Sequence, residues 1–321
     1  MRRRNFIAGL ATVVVFGVRA ADAQNPIRRV GALVSGALSK QLLDDALRRR
    51  GWQIGRDLQV EYRLSNGDTD LTRSYASELI SLKPDVLFAI TNTSMAALHA
   101  EGSTIPTVFA MVSDPVAMHY VDSYARPGRN VTGFTPFEPS LGSKWLSILQ
   151  EVAPNIRHLG LIYNPEPGNN SAAFRKSIEE TANISGIRSV ETPAGDSSDI
   201  ERLILSLRDQ PNSGLIFLPD GFTVTKQAEL TTLVGECRLP AIYPLRSFCK
   251  AGGLISYGVD IKKIIDGAAS YVDRILRGAS PADLPVQAPT EFELVVNRRA
   301  FKQLGLQLPP TLLARADEVI E

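Results

Sequence analysis

The sequence predicts an α/β protein of two similar lobes, each a parallel sheet flanked by helices, joined by a hinge. Between residues 83 and 115, two short apolar runs are separated by a segment of helix length. This pattern is typical of a parallel sheet that is buried on both faces. The pattern returns between residues 214 and 244, and residues 105–109 match residues 239–243 in type at every position. One βαβ layout is therefore used twice.

The first lobe begins with an apolar strand at residues 29–35. Ser39 is expected to cap a helix that runs to Arg50 and stops at Gly51, and Asp70 a second helix that ends at Leu82. The other predicted elements of this lobe are strands at 58–64, 84–90, 105–111 and 131–135 and a helix at 95–100. Strands that alternate with helices at this spacing imply right-handed crossovers.

A second lobe begins near residue 138, because residues 156–162 echo residues 27–33 and each segment opens one of the two βαβ runs. The other predicted elements follow in this order: helices at 140–152, 171–185, 198–208 and 262–277, strands at 188–192, 254–257 and 291–296, and a last helix from about 311. A parallel sheet is expected in this lobe as well.

The order of the elements divides the chain between the lobes. The first lobe is expected to hold residues 24–137 and about 258–288, and the second residues 138–257 and about 289–321. The backbone is then expected to cross between the lobes near residues 135–138, 256–260 and 287–290.

The composition argues against partners that require a concentrated basic surface. Of all residues 44% are hydrophobic and 21% are charged, and the formal net charge is +1. Residues 1–23 carry four arginines and one aspartate, so the remainder has a net charge of −2. A weakly acidic, evenly mixed surface excludes nucleic acid and anionic membranes as expected partners.

The N-terminal residues 1–23 are predicted to be a signal peptide. Three arginines precede a largely apolar run at residues 6–18, and Ala21-Asp22-Ala23 forms a small-x-small cleavage site. Residues 3–7 also resemble a twin-arginine export signal. A membrane anchor is the alternative, but the apolar run is shorter than the ~20 residues that a span requires. We expect a periplasmic protein.

The two cysteines, Cys237 and Cys249, leave two possibilities open. In an oxidising compartment they can form a disulfide, since both flank the strand near residue 242, or they can remain two buried thiols. No metal site and no cofactor are expected, because the three histidines are scattered and neither cysteine has a neighbour at ligand spacing.

Several blocks of the chain resemble the ABC transporter substrate-binding protein family, the periplasmic solute-binding proteins of type 1 topology. The blocks are Ser113-Asp114-Pro115, residues 126–133, 239–243 and 251–258, Leu284-Pro285-Val286-Gln287 with Pro289-Thr290, and residues 312–320. They extend over most of the chain. Ser113 stands where the family pattern has glycine.

The resemblance implies two α/β lobes and a three-stranded hinge that close on a small molecule and present it to a permease at the inner membrane. It also implies a binding protein, expected as a monomer, rather than an enzyme. Two alternatives remain. A periplasmic sensor for a membrane receptor would have the same sequence features. An exported hydrolase would need a nucleophile–base or paired-carboxylate arrangement, and the sequence has no GxSxG motif and no histidine at a predicted strand end.

Ligands of open α/β sheets bind at the carboxyl ends of the strands, where loops and helix N-termini converge. This rule predicts ligand contacts from twelve residues: Ser35, Gly36, Thr91, Asn92, Thr93, Ser94, Ser113, Asp114, Asn164, Asp220, Tyr243 and Tyr257. Hydroxyl groups and free N–H groups at 91–94 suit a carboxylate. An aspartate, at position 114 or 220, could hold an ammonium group, although turn and cap roles suit both equally.

Overall fold

The computed structural model describes residues 26–136, 140–163, 165, 171–193 and 197–321. The predicted signal peptide and the predicted ligand contact Asn164 lie outside the described residues. Among the described helices, none is both long enough and apolar enough to span a membrane.

The described residues form strands and helices that alternate along most of the chain. The strands are β1 (Arg28–Val34), β2 (Leu58–Leu64), β3 (Val86–Ile90), β4 (Thr107–Ala110), β5 (Val131–Phe134), β6 (His158–Tyr163), β7 (Arg188–Pro193), β8 (Ser213–Phe217), β9 (Ala241–Tyr243), β10 (Ile255–Gly258), β11 (Glu293–Asn297) and β12 (Glu318–Ile320). The helices are α1 (Ala37–Arg49), α2 (Thr69–Ser81), α3 (Asn92–Ala100), α4 (Leu141–Val152), α5 (Ala172–Ile184), α6 (Ser197–Arg208), α7 (Gly221–Thr225), α8 (Gln227–Glu236), α9 (Arg246–Lys250), α10 (Ile261–Leu276), α11 (Arg298–Leu304) and α12 (Pro310–Arg315).

The strands form two sheets, one in each lobe, and this confirms the predicted fold class. The first sheet has the order β2-β1-β3-β4-β5, and all its neighbouring strands are parallel. Every residue of β3 and β4 is buried, because helices cover both faces of the sheet.

The second sheet has the order β12-β11-β10-β9-β8-β6-β7 and is mixed. The sheet is parallel, as predicted, except where β11 runs antiparallel to β10. The chain reaches β11 after an excursion to the first lobe, so it approaches the sheet edge from the opposite direction.

Two predicted N-caps were wrong, and two short helices, α9 and α11, were not predicted. Helix α1 starts at Ala37 with Gly36 at the N-cap, and Ser39 is buried with its Oγ 3.5 Å from Ser35 Oγ. Asp68 rather than Asp70 caps α2 by accepting from Leu71 N–H at 2.8 Å. Asn297 caps α11 by accepting from Ala300 N–H.

The return segment after α10 pairs with the edge of the first sheet. The N–H of Gln287 donates to Gly133 O at 3.0 Å, and the N–H of Thr135 donates to Gln287 O at 2.9 Å. Slightly earlier in both segments, the buried Thr132 hydroxyl donates to Leu284 O. The chain therefore adds an extended segment beside β5 before it returns to the second sheet.

Helix α10 packs on the first lobe although it follows the second lobe's β10. Arg50 of the α1 C-terminus forms a two-pronged ion pair with Asp266, with both N–O distances 2.9 Å, and Arg49 contacts the same carboxylate at 2.7 Å. The hydrogen bond from Arg50 is the main cause that lowers the pKa of Asp266 to about 2. The carboxylate is therefore ionised at neutral pH, and it ties α10 to α1.

Both cysteines are free and buried, so the structure contains the thiols and not the disulfide. Burial raises the pKa of Cys249 to about 12, and its Sγ donates to Val295 O at 3.6 Å. The thiol is therefore protonated and unreactive at neutral pH.

Replacing Thr132 by Val should destabilise the protein by about 1–3 kcal/mol, because Leu284 O would lose its donor in a buried position. Equilibrium unfolding in urea measures this change. Thr232→Val is the matched control, since its hydroxyl donates to Ala228 O on an exposed helix face, and a change within about 0.5 kcal/mol is expected. Equal effects of the two substitutions would contradict the buried contact.

Candidate functional site

A cavity of about 220 Å³ lies between the lobes, where the carboxyl ends of the strands meet. Its walls come from the turns after β1, β3 and β4 in the first lobe and from those after β8 and β9 in the second. The lining residues are Ser35, Gly36, Ala37, Leu38, Ser39, Ile90, Thr91, Asn92, Thr93, Met111, Ser113, Pro136, Pro219, Asp220, Gly221, Val224, Thr225, Gln227, Leu245 and Ile261. Its volume corresponds to about seven waters at ~30 Å³ each, so one small molecule fits.

A second, more open cavity of about 610 Å³ lies on the outside of the second lobe. Asn212, Ser213 and Pro240 line it, which places it at the amino ends of β8 and β9. Ligand sites of parallel sheets lie at the opposite edge, where helix N-termini point inward. The smaller cavity is therefore the candidate site.

The first turn of α1 presents backbone donors to the cavity. The first hydrogen bond of this helix runs from Lys40 N–H to Gly36 O at 3.3 Å, and no side chain caps the helix. The N–H groups of Ala37, Leu38 and Ser39 thus have no acceptor within the helix. All three residues line the cavity, so the positive end of the helix dipole faces it.

The first turn of α3 lies in the same wall. Its first intrahelical hydrogen bond runs from Met95 N–H to Thr91 O at 3.1 Å, and Thr91 Oγ1 accepts from Ser94 N–H at 3.4 Å. The N–H groups of Asn92 and Thr93 come before that bond in the chain, so they have no acceptor within the helix. Two helix N-termini in one wall suit a carboxylate or another anionic group.

Asn92 is held by a contact with the neighbouring turn of the first lobe. Its Oδ1 accepts from Ser113 N–H at 2.8 Å, which orients the side-chain amide. The other group of this amide, Nδ2, can only donate. Asn92 therefore adds a donor to the wall that already holds the helix N-termini.

The backbone is strained where β3 and β4 end. Thr91 has φ 86° and Met111 has φ 59°, and both residues line the cavity. Asp114 follows with φ 48°. A positive φ is unfavourable for residues other than glycine, and most of all for a β-branched residue such as threonine. Strain of this kind concentrates at functional sites, where the surrounding structure enforces it.

Asp220 is the one charged side chain among the described residues that line the cavity. Its Oδ1 accepts from the N–H groups of Phe222 at 2.8 Å and Thr223 at 3.2 Å, so the carboxylate also caps α7. No described lysine or arginine lines the cavity. The wall formed by the second lobe therefore carries the negative charge.

The remaining walls are aliphatic. Ile90 and Met111 from the first lobe, Val224 and Leu245 from the second, and Ile261 at the start of α10 line the cavity with apolar side chains. None of the described lining residues is aromatic. The site thus combines a polar end with an apolar interior, which suits an amphipathic small molecule.

Seven of the twelve predicted residues line this cavity: Ser35, Gly36, Thr91, Asn92, Thr93, Ser113 and Asp220. Ser94, in the first turn of α3, does not line the cavity, because it is buried. Asp114 is not a lining residue either, and its Oδ1 accepts from Ala117 N–H at 3.1 Å, the turn role that aspartate often has.

Tyr243 and Tyr257 were predicted as contacts but lie elsewhere. Tyr243 is 1% exposed, with its ring stacked on Phe217 at 4.8 Å and on Phe248 at 4.9 Å. It is the last residue of β9, and its side chain points into the core. The Tyr257 ring lies 5.9 Å from Phe292 near the hinge, and its carbonyl accepts from Trp145 Nε1.

The sequence analysis missed the apolar lining residues and Gln227. Leu38, Met111, Pro136, Leu245 and Ile261 look like core or hinge positions, and only the meeting of the lobes brings them together. Gln227 had a usable signal. It stands seven residues after Asp220, a spacing that predicts one face of a helix, although the structure breaks that helix at Lys226.

The lobes touch at the mouth of the cavity. A Cβ built on Gly67, in the turn after β2, would lie 3.7 Å from Phe222 Cα at the start of α7. Gly67 has φ 85°, a conformation that favours glycine. The structure is therefore a closed state, in which backbone approaches backbone across the cleft.

Comparisons with known proteins give consistent matches. A sequence model of the family described as ABC transporter substrate binding protein matches residues 33–320. A tyrosine-binding protein of Clostridioides difficile is 27% identical over 263 residues, which cover 82% of this chain and 75% of the relative.

Two solved structures superpose over nearly the whole chain. A conserved domain protein from Vibrio cholerae has a TM-score of 0.84 at 28% identity, covering 91% of this chain and 99% of the other. An ABC domain from Streptococcus pneumoniae in complex with L-Trp has a TM-score of 0.82 at 20% identity, with the same coverage. The latter likeness concerns the fold alone.

The contact between Gly67 and Phe222 predicts a disulfide in the double variant Gly67→Cys, Phe222→Cys. A Cβ at position 67 would lie 3.7 Å from Phe222 Cα, so the two Cα atoms are closer than the ~6.8 Å upper limit for a bridged pair. Mild oxidation, alkylation and intact-mass measurement should show one intramolecular bridge.

The matched control is Gly55→Cys, Phe222→Cys. Gly55 has φ 90°, close to that of Gly67, but a Cβ there would have nothing within 4 Å. No bridge is expected. Equal cross-linking of the two double variants, or none in either, would show that the lobes do not meet as described.

Proposed function

Because the chain belongs to the ABC transporter substrate-binding protein family, we propose that it captures an α-amino acid or similar zwitterion between its lobes and delivers it to a membrane permease. The family and the structural neighbours are solute-binding proteins and not enzymes. Binding of a small molecule therefore follows from the family, and the ligand class and the delivery step are the proposal.

One observation carries the ligand class: the two walls of the cavity have opposite polarity. The first lobe contributes N–H groups at the starts of α1 and α3, together with the amide of Asn92. The second lobe contributes the carboxylate of Asp220. A carboxylate on the ligand would bind the donors, and an ammonium group would bind Asp220.

This polarity also explains why closure would depend on the ligand. A zwitterion contacts both lobes at once, so its binding free energy favours the closed state over the open one. A simple carboxylate would contact the first lobe only. Hinge closure around a ligand is the usual response of two-lobed binding proteins.

The tyrosine-binding relative supports an amino acid as the ligand. Its identity to this chain is 27% over 82% of the chain, which leaves room for a different side-chain preference. The aliphatic walls favour an amino acid with a largely apolar side chain over a strongly charged one, since burying an unpaired charge is unfavourable.

Replacing Asp220 by Asn should weaken binding of amino acids ten- to more than a hundredfold, because a charged hydrogen bond contributes about 1.5–3 kcal/mol. Asn keeps an oxygen that can accept from Phe222 N–H and Thr223 N–H, so α7 stays capped. A thermal-shift screen of amino acids, purines and small carboxylates identifies the ligand, and calorimetric titration gives its Kd. Saturation at 100 times Kd should add about 2.7 kcal/mol of stability.

The matched control for Asp220 is Asp114→Asn, which also changes a capping aspartate beside a strand end but lies outside the lining. Its affinity should remain within about twofold of the parent protein. The N-acetyl derivative of the ligand, which lacks the ammonium charge, should bind the parent and Asp220→Asn equally. Unchanged affinity of Asp220→Asn for the free amino acid would contradict the proposed polarity.

Export is the second part of the proposal, since delivery to a permease requires the periplasmic side of the inner membrane. The mature protein from a native periplasmic extract should lack residues 1–23 and begin at Gln24. Intact-mass measurement and cell fractionation check this. A full-length chain in the membrane fraction would contradict export as a free binding protein.

A further inference from the structure

The turn between β2 and α2 contains Asn66 followed by Gly67, which is the one Asn-Gly pair in the whole sequence. Both residues have a positive φ, 50° at Asn66 and 85° at Gly67, and the N–H of Asp68 donates to Ser65 O at 2.9 Å. Such a hydrogen bond closes a tight turn, and a positive φ at both central positions favours asparagine and glycine there. Both central residues are exposed. The pair therefore forms the exposed tip of a tight turn.

The two ends of this turn are anchored, whereas its tip is not. Ser65 is buried, and its N–H donates to Val34 O at 3.2 Å. Asp68 caps α2 with its side chain. Within the part of the chain that the structure describes, neither the side-chain amide of Asn66 nor the N–H of Gly67 has a hydrogen-bond partner. Both groups are thus free to react with each other.

An asparagine that precedes glycine can react with the backbone. The glycine nitrogen attacks the side-chain carbonyl carbon, a C–N bond forms, and the amide nitrogen leaves as ammonia with the proton of the glycine nitrogen, which closes a five-membered succinimide. Water then opens the ring at either carbonyl and gives aspartate or isoaspartate. Glycine hinders the attack least because it has no Cβ. The reaction consumes water alone, and asparagine is for this reason a thermolabile residue.

We propose that Asn66 is a site of spontaneous modification in the folded protein, where it becomes aspartate and isoaspartate through a succinimide with Gly67, and that this modification opposes closure of the lobes. The first part stands on the turn itself and needs no ligand. The second part rests on the proposed function, since there closure serves the capture of a ligand.

The turn is where the first lobe meets the second. A Cβ built on Gly67 would lie 3.7 Å from Phe222 Cα, 3.8 Å from Phe222 N and 3.9 Å from the carbonyl carbon of Gly221. Asn66 Oδ1 would lie 3.9 Å from a Cβ built on Gly36, which lines the cavity. A change at residues 66 and 67 therefore alters the mouth of the cavity.

The products differ from asparagine in ways that disfavour the closed state. In isoaspartate the backbone runs through the side chain, which inserts one more carbon between residues 66 and 67. Because the ends of the turn are anchored, this carbon displaces the tip that approaches Phe222. Both products also carry a carboxylate, and the second lobe has the like charge of Asp220 in the cavity wall. The equilibrium between open and closed states therefore shifts towards the open state.

A time course of the folded parent protein at mildly alkaline pH and physiological temperature tests the site. The intact mass should rise by about 1 Da, since NH is replaced by O, and peptide mapping should place the change at residue 66. Asn66→Gln should keep its mass over the same period, because its longer side chain would have to close a six-membered ring. Thermal unfolding of the fresh proteins checks that the variant is folded.

Asn212 is the matched control within the same chain. It is also exposed and has φ 58°, but the next residue is Ser213, which is buried as the first residue of β8. The carbonyl of Asn212 accepts from the N–H groups of Arg157 at 2.7 Å and His158 at 3.1 Å, so this backbone is fixed. Residue 212 should remain asparagine. Equal conversion at both positions, or none at residue 66, would overturn the proposed site.

Thermal shifts with an equimolar mixture of the twenty standard amino acids test the effect on closure. The mixture should stabilise the fresh parent. After full conversion at residue 66, the stabilisation should be smaller, as expected for an affinity about tenfold lower. Asn66→Gln after the same incubation should respond as the fresh parent does, which separates the modification from general ageing of the protein.

The outcomes distinguish the two parts from each other and from the proposed function. Conversion at residue 66 with an unchanged thermal shift would overturn the effect on closure and leave the modification site standing. If the mixture does not stabilise the fresh parent, the proposed function fails and the effect on closure fails with it, whereas the mass measurement still decides the site.

Discussion

The common direction of the parallel strands is the constraint on which the site depends. In the first sheet and in strands β6 to β10 of the second, the strands end at one edge, and the helices that follow them begin there, with their first N–H groups unpaired. When two such lobes meet at these edges, the cavity between them is lined by turns and helix starts rather than by strands. The starts of α1 and α3 and the carboxylate that caps α7 reach the cavity for this reason.

The connections between the lobes make this arrangement a closed cleft. The segment around Gln287 pairs with β5, and Trp145 of α4 donates to the carbonyl of Tyr257, so the strands that cross between lobes are held by hydrogen bonds near the hinge. The turn after β2 also approaches the start of α7, where a Cβ on Gly67 would lie 3.7 Å from Phe222 Cα.

The sequence predicted the polar part of the site better than the apolar part. Residues at strand ends, such as Thr91 and Asp220, follow from strand polarity and turn chemistry. Tyr243 was misplaced because the last residue of a strand still alternates between the faces of the sheet, and its ring faces Phe217. The positive φ of Thr91 could not be predicted from the sequence, because threonine rarely adopts this backbone conformation.

By itself, the sequence determined the two-lobed α/β class, because apolar periodicity is a local property that each segment carries. Only the tertiary structure decided that β11 is antiparallel, that the cysteines remain apart as free thiols, and that Leu245, Ile261 and Gln227 share one cavity. These features depend on contacts between segments distant in the chain. Their geometry is set by packing, which no single segment encodes.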